Sequence, residues 1–292
     1  MEYFVAHFQI KGAESIGDCR DLLAAMAGEA GFESFEETED GLCGYVQRRL
    51  LDEDKLKELL AAFPIEGVKV DYSLSEVEDK DWNEQWEKEG FEPIVVGGRC
   101  VIHDTKHSLD SIELPQETPS LPIIDITIEA KQAFGTGTHE TTRLIVNQLL
   151  ELDLEGKSVL DCGCGTGILG IVASKLGAKS VVGYDIDEWS VKNARHNALL
   201  NNVENMEVLE GNHSVLTHVS GVFDVVLANI NRNVLMADMA AIRDVMSHEG
   251  ILILSGFYGE DGIMIAEKAG SLGLSLTVTK SENNWCMLLF NA

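Results

Sequence analysis

Ser158–Gly170 reads SVLDCGCGTGILG: a short apolar strand, three glycines at alternate positions, and the start of an apolar helix. Glycines at 163, 165 and 167 let backbone approach a ligand closely, and the helix behind them presents unpaired N–H groups at its N-terminus. Within this run, Gly165-Thr-Gly167-Ile-Leu-Gly170 also fits G-x-G-x-x-G, which by itself would suit a dinucleotide. Asp161, two residues before the first glycine, separates the readings. A carboxylate beside a pyrophosphate repels it, whereas beside a cation or an ammonium it is favourable. A nicotinamide-dependent oxidoreductase is disfavoured on that ground.

Around this motif, helix and strand patterns alternate. An amphipathic helix over 138–152 precedes it, and the helix 168–176 follows. Strand 180–186, helix 188–201, strands 206–210 and 223–228, helix 234–246, strand 251–257 and helix 262–273 come next. Strands 274–280 and 285–290 close the chain as an antiparallel hairpin. Such alternation predicts a largely parallel sheet with helices on both faces.

The first 75 residues have a different rhythm. A strand at 1–10, a helix over 15–30 stopped by Gly31, a hairpin over 32–50, a helix over 52–63 ended by Pro64 and a strand at 68–74 spell β-α-β-β-α-β. That order is the ferredoxin-like split unit. No nucleotide or metal motif falls inside it, so it reads as a recognition or packing module. Residues 76–92 are highly charged and carry Trp82 and Trp86 four apart, which predicts a linker helix. Four of the five prolines lie between Pro93 and Pro122. They place a surface loop at 114–122, between strands at 94–102 and 123–128.

Composition sets outer bounds. The 292 residues are 45% hydrophobic and 24% charged, which excludes general disorder. No apolar run reaches the ~18 residues of a membrane span. The first thirty residues lack the basic start and apolar block of a signal peptide, so a cytoplasmic protein is expected. The net charge is −27, with −15 of it in residues 1–92. Bare nucleic acid is a poor partner for such a surface, while a basic protein would suit it; solubility alone accounts for the acidity equally well. Cysteines at 19, 43, 100, 162, 164 and 286 are scattered, without a second Cys/His pair at zinc-finger spacing. Free thiols and no metal site are expected.

D-x-G-x-G-x-G at a strand end resembles the first motif of class I S-adenosylmethionine-dependent methyltransferases. The cofactor has a sulfonium, an ammonium and no phosphate, which agrees with Asp161. Downstream, VVGYDID ends a strand on Asp185, twenty-two residues after Gly163, where an acid can take both ribose hydroxyls. Gly211-Asn212 follows the third strand, where this family contacts adenine, with Asn212 replacing the commoner Asp. FDVVLANI closes the fourth strand with Asn229 beside the expected pocket. Methyl transfer needs a neutral nucleophile, and an amide can accept the N–H bonds of an amine and aim its lone pair at the methyl. Asn229 is therefore the expected catalytic residue, and a cap on the following helix is its alternative role.

AFGTGTHETT at 133–142, with Asp81-Trp82-Asn83-Glu84 and FEPIVVGGR at 91–99, narrows the resemblance. In AFGTGTHETT, His139 and Thr142 stand i, i+3 on one helix face. Together these stretches closely resemble the PrmA family, bacterial methyltransferases of protein eleven of the large ribosomal subunit. The resemblance implies an α/β fold: a class I methyltransferase (Rossmann-like) sheet at 93–292, a linker at 76–92, and a ferredoxin-like α+β domain at 1–75 that grips the substrate. It implies S-adenosylmethionine as cofactor and methylation of lysine side-chain amines and the N-terminal amine of a basic ribosomal protein. Nucleic acid and membrane are not expected partners. Carried over by motif, Thr142, Asp161, Gly163, Gly165, Asp185, Asn212 and Asn229 contact the cofactor, and Phe134 and Gly135 belong to the loop over it. A methyltransferase of another protein or a small molecule, and an assembly factor without activity, remain open at this stage.

Overall fold

A computed structural model describes residues 3–12, 16–28, 30–32, 34–38, 40–48, 50–65, 67–76, 90–109, 112, 122–130, 135–217 and 222–292. The chain divides into two compact units, Met1–Trp82 and Asn83–Ala292.

In the first unit, β1 (Tyr3–Lys11), α1 (Ile16–Gly28), β2 (Ser34–Thr38), β3 (Gly41–Gln47), α2 (Glu53–Ala61) and β4 (Lys69–Glu76) follow the expected order. Their sheet runs β2-β3-β1-β4 with every pair antiparallel, the ferredoxin-like arrangement. Ala6, Phe8 and Ile10 alternate along β1 toward a core that holds Leu23 of α1 and Leu56 of α2. Phe8 meets Phe32 edge to face at 5.5 Å. Asp52 starts α2 by accepting the Lys55 N–H at 3.0 Å. The expected linker helix, with Trp82 and Trp86, falls on residues outside those described, as does nearly all of the expected loop at 114–122.

The second unit opens earlier than residue 93. Phe91 is buried in its core, and its N–H bonds to the Asp104 carboxylate at 3.2 Å. The expected single strand at 94–102 is a correction: it is a hairpin of β5 (Ile94–Val96) and β6 (Cys100–His103). Gly97 and Gly98 both take positive φ, +56° and +71°, and turn the chain back. β7 (Ile124–Thr127) then pairs with β6 in parallel.

The main sheet is built from β8 (Ser158–Cys162), β9 (Ser180–Asp185), β10 (Met206–Glu210), β11 (Phe223–Asn229), β12 (Met246–Tyr258), β13 (Ser275–Glu282) and β14 (Trp285–Asn291). It runs β10-β9-β8-β11-β12-β14-β13, with β14 antiparallel to both of its neighbours. Side chains alternate between two cores, as a strand buried on both faces requires. Val159, Val225, Leu227, Ile253 and Leu289 face α3 (Glu140–Leu149) and α4 (Ile168–Lys175). Leu160, Val226, Ala228, Leu252 and Leu288 face α6 (Arg232–Asp244) and α7 (Gly262–Ser271). Between these, α5 (Glu188–Leu200) packs on β9 and β10. Going outward from β8, the chain first lays down β9 and β10 and then crosses to β11 on the other side. That reversal opens a crevice at the carboxyl ends of β8 and β11. Among the described residues no helix is long and apolar enough to cross a membrane.

Candidate active site

A cleft of about 750 Å³ lies at this crevice, a size within the usual range for small-molecule sites. Gly163 follows β8 with φ +65°, and a Cβ there would lie 2.4 Å from Ile230 Cγ2. Only glycine lets the loop pass this close to the end of β11. Gly167, at φ +80°, is the residue from which α4 starts.

Asp185 ends β9 and lines the cleft. Its Oδ2 accepts the Gly165 N–H at 2.9 Å and its Oδ1 accepts the Asp187 N–H at 3.0 Å. Each oxygen keeps a further acceptor site, and the two backbone bonds hold the carboxylate in place for a diol. Asn212, at the end of β10, also lines the cleft, but its Oδ1 accepts the Ser214 N–H at 2.9 Å and the side chain is exposed.

Asn229 and Thr142 come together in the cleft, 87 residues apart in sequence, with Asn229 Nδ2 donating to Thr142 Oγ1 at 3.5 Å. Asn229 Oδ1 is buried without a hydrogen-bond partner among the described residues. The capping role belongs to Asn231, whose Oδ1 accepts the Val234 N–H at 3.1 Å. With Asn231 as cap, α6 begins at Arg232, two residues before the expected start, and Asn229 is left to the cleft.

Gly135 lines the cleft, and its carbonyl accepts the buried Thr166 hydroxyl at 2.6 Å, tying the two glycine-containing loops together. Phe134 lies outside the described residues. Asp161 is not on the cleft lining. It shares the face of Val159, points toward α4, is 1% exposed and accepts the Gly170 N–H at 3.0 Å. Burial pushes its pKa up to about 7 against the pull of that N–H, and the nearby Asp185 charge adds to the rise. The sequence argument placed this charge beside a ligand cation; the fold puts it behind the glycine loop. All six cysteines are buried and outside any disulfide, Cys162 and Cys164 among apolar side chains of two different cores.

Sequence reading placed His139 on a helix face with Thr142, whereas it is the cap before that helix, and it missed several other cleft residues. His139 caps α3, accepting the Thr141 N–H at 3.3 Å, and its ring meets Trp285 edge-on at 4.8 Å. Trp285 stacks on Tyr258 at 4.2 Å. Asp238 of α6 holds His213 Nδ1 at 2.9 Å. Behind the cleft, Asn197 Oδ1 accepts the Glu129 N–H at 3.0 Å and its Nδ2 donates to the Thr166 carbonyl at 2.9 Å, bracing the glycine loop. These groupings join positions far apart in sequence, and only the helical spacing of Asn193, Asn197 and Asn201 hinted at any of them.

The residues fit S-adenosylmethionine. The cleft offers an acid for a ribose, a glycine turn at Gly163 where a Cβ would meet Ile230, and an acceptor unpaired among the described residues where a reacting group would sit. A seven-stranded sheet of this order, with its cleft at the switch point, defines a class I methyltransferase. Residues 26–292 match the model of the family described as ribosomal protein L11 methyltransferase (PrmA), and the chain belongs to that family. Similar relatives are the ribosomal protein L11 methyltransferase of Phocaeicola vulgatus, 46% identical over 92% of each chain, and that of Bacteroides thetaiotaomicron, 44% identical over 99% of each. The crystal structure of a ribosomal protein L11 methylase from Lactobacillus delbrueckii subsp. bulgaricus superposes with a TM-score of 0.60 at 26% identity, covering 68% of this chain and 98% of that one.

Proposed function

We propose that this chain transfers methyl groups from S-adenosylmethionine to amines of ribosomal protein L11, both lysine side-chain amines and the N-terminal amine. The observation that carries this reading is the unpaired, buried Oδ1 of Asn229 at the carboxyl end of β11. An orphaned buried acceptor costs about 1–3 kcal/mol, and an amine N–H from a substrate removes that cost.

The cofactor, when bound, supplies a methyl group on a cationic sulfur. The acceptor amine reaches the enzyme protonated, since lysine has a reference pKa of about 10.4. Entry into the cleft disfavours the ammonium form. Asn229 Oδ1 then accepts an N–H of the neutral amine and directs its lone pair, while Thr142 holds the amide plane. Positioning of this kind accelerates a displacement without a covalent enzyme intermediate. Asp185 takes the ribose hydroxyls, and the backbone around Gly163 and Gly165 cradles the amino-acid end of the cofactor.

Residues 1–75 serve in this reading as the substrate-recognition domain, and their acidity attracts a basic client. The reaction belongs in the cytoplasm with its ribosomal client, and the names of the relatives support L11 as that client. The test is mass spectrometry of L11 after incubation with the enzyme and isotopically labelled cofactor. Label on L11 amines is expected. Cofactor binding without incorporation into L11 would refute the assignment.

A further inference from the structure

The sequence pointed to Asn212 as the adenine contact; in the fold one lone pair of its Oδ1 accepts the Ser214 N–H and its side chain is exposed. The neighbouring residue is differently placed. His213 lines the cleft, and its Nδ1 lies 2.9 Å from Oδ1 of Asp238, whose side chain is 11% exposed. A carboxylate accepts only, so Nδ1 carries the proton and donates it. In the neutral ring that tautomer leaves Nε2 as an acceptor with a free lone pair, without a partner among the described residues.

Strand order says what this acceptor meets. Across the crevice the ends run β10, β9, β8, β11. On the reading above, the reacting methyl lies toward Asn229 on β11 and the ribose lies on Asp185 of β9. The base therefore extends the remaining way, toward β10. The chain just past β10 is Gly211–His213, locked to β9 by the Gly211 N–H on the Asp185 carbonyl at 2.8 Å. Ile186, 76% exposed and also on the cleft lining, supplies an apolar surface there for a purine face. The edge of adenine that distinguishes it from hypoxanthine is the exocyclic amine, a donor where hypoxanthine has a carbonyl acceptor.

We propose that His213, held in its acceptor tautomer by Asp238, recognises the exocyclic amine of the cofactor's adenine and gives the site its selectivity for adenine over hypoxanthine. The assignment rests on the reading of the cleft as an S-adenosylmethionine site. Asp238 acts as the positioning residue, because without a charged acceptor at Nδ1 the imidazole is free to present an N–H at Nε2 instead. An N–H there would favour the hypoxanthine carbonyl and reverse the preference.

Calorimetric titration of the full chain with S-adenosylhomocysteine and with S-inosylhomocysteine tests this without recourse to turnover. The wild type is expected to bind the adenosyl compound at least about tenfold more tightly, a factor in line with one hydrogen bond gained and one acceptor–acceptor clash avoided. His213→Ala should bring the ratio close to one, mainly by weakening the adenosyl compound. His213 is half-buried, outside both sheet cores, at the start of a short 3-10 helix (His213–Thr217), so the variant should fold, which circular dichroism checks directly. Asp238→Asn should lower the ratio while keeping the imidazole in place. A wild type that binds neither compound would overturn the cofactor reading itself. A wild type that binds both equally, or a His213→Ala variant that keeps the wild-type ratio, would overturn only the role given to His213.

Discussion

Replacing Asp161 by Asn should change how stability depends on pH, in a direction the structure dictates. The carboxyl is 1% exposed, receives one backbone N–H, from Gly170 at 3.0 Å, and feels the negative charge of Asp185. Burial dominates and raises its pKa from 3.8 to about 7. Between those two values the folded protein holds a proton that the unfolded chain has lost. Stability of the wild type therefore falls as pH rises through this window and levels off above it. At about 1.4 kcal/mol for each pH unit over the roughly three units between these values, the full loss is on the order of 4 kcal/mol. Asp161→Asn has nearly the same shape, still accepts the Gly170 N–H and does not titrate. Its stability relative to the wild type should increase by roughly 1.4 kcal/mol per pH unit from pH 5 toward pH 7 and then stay constant to pH 8. The added amide N–H contributes an offset that does not vary with pH, so the slope is the diagnostic quantity. Urea unfolding of cofactor-free protein at pH 5, 6, 7 and 8 measures it. A difference between variant and wild type that stays flat over this range would refute the claim that Asp161 is buried and protonated near neutrality.

Other expectations concern the cleft and the two units. Asp185→Asn keeps an acceptor for the Gly165 N–H but weakens the pair of acceptors offered to the ribose; calorimetry should find cofactor binding weaker by about 1.5–3 kcal/mol, and unchanged affinity would remove the ribose role. Asn231→Ala should lose about 1 kcal/mol of stability with its cap, whereas Asn229→Ala should keep stability and lose turnover at saturating cofactor. The opposite pattern would exchange the roles of the two asparagines. A fragment starting at Gly90, which retains the buried Phe91 and its bond to Asp104, should bind cofactor and lose most activity on L11. With the full chain, client association should slow as salt rises beyond about 0.1 M, where the Debye length is roughly 10 Å. Equal activity of fragment and full chain would end the recognition role of residues 1–75.

Local chemistry was enough to read much of the molecule from the chain. Ser158–Cys162 and Met206–Glu210 have the predicted bounds, because an apolar run and its flanking turn residues are neighbours in sequence. The β-α-β-β-α-β order of the first unit and the closing hairpin of the second were legible for the same reason. The hairpin at 94–103 was within reach too, since Gly97-Gly98 is a local signal.

What stayed hidden depended on which way a side chain points and on what the fold brings beside it. Asp161 was correctly marked as an acid at a strand end, but the face it occupies follows from how β8 sits between two helical layers. Asn229 and Asn231, two residues apart, could each have been the cap; the start of α6 at Arg232 decides between them. Trp285 reaches His139 because β14 enters the sheet antiparallel beside β12, and His213 meets Asp238 because α6 packs against the short 3-10 helix His213–Thr217 that follows β10. By itself the sequence determined most of the elements, the glycine run after β8 and the acid at the end of β9. Only the tertiary structure decided which acid is buried, which amide is left unpaired and which imidazole is held, because each depends on partners that the chain places far away in sequence.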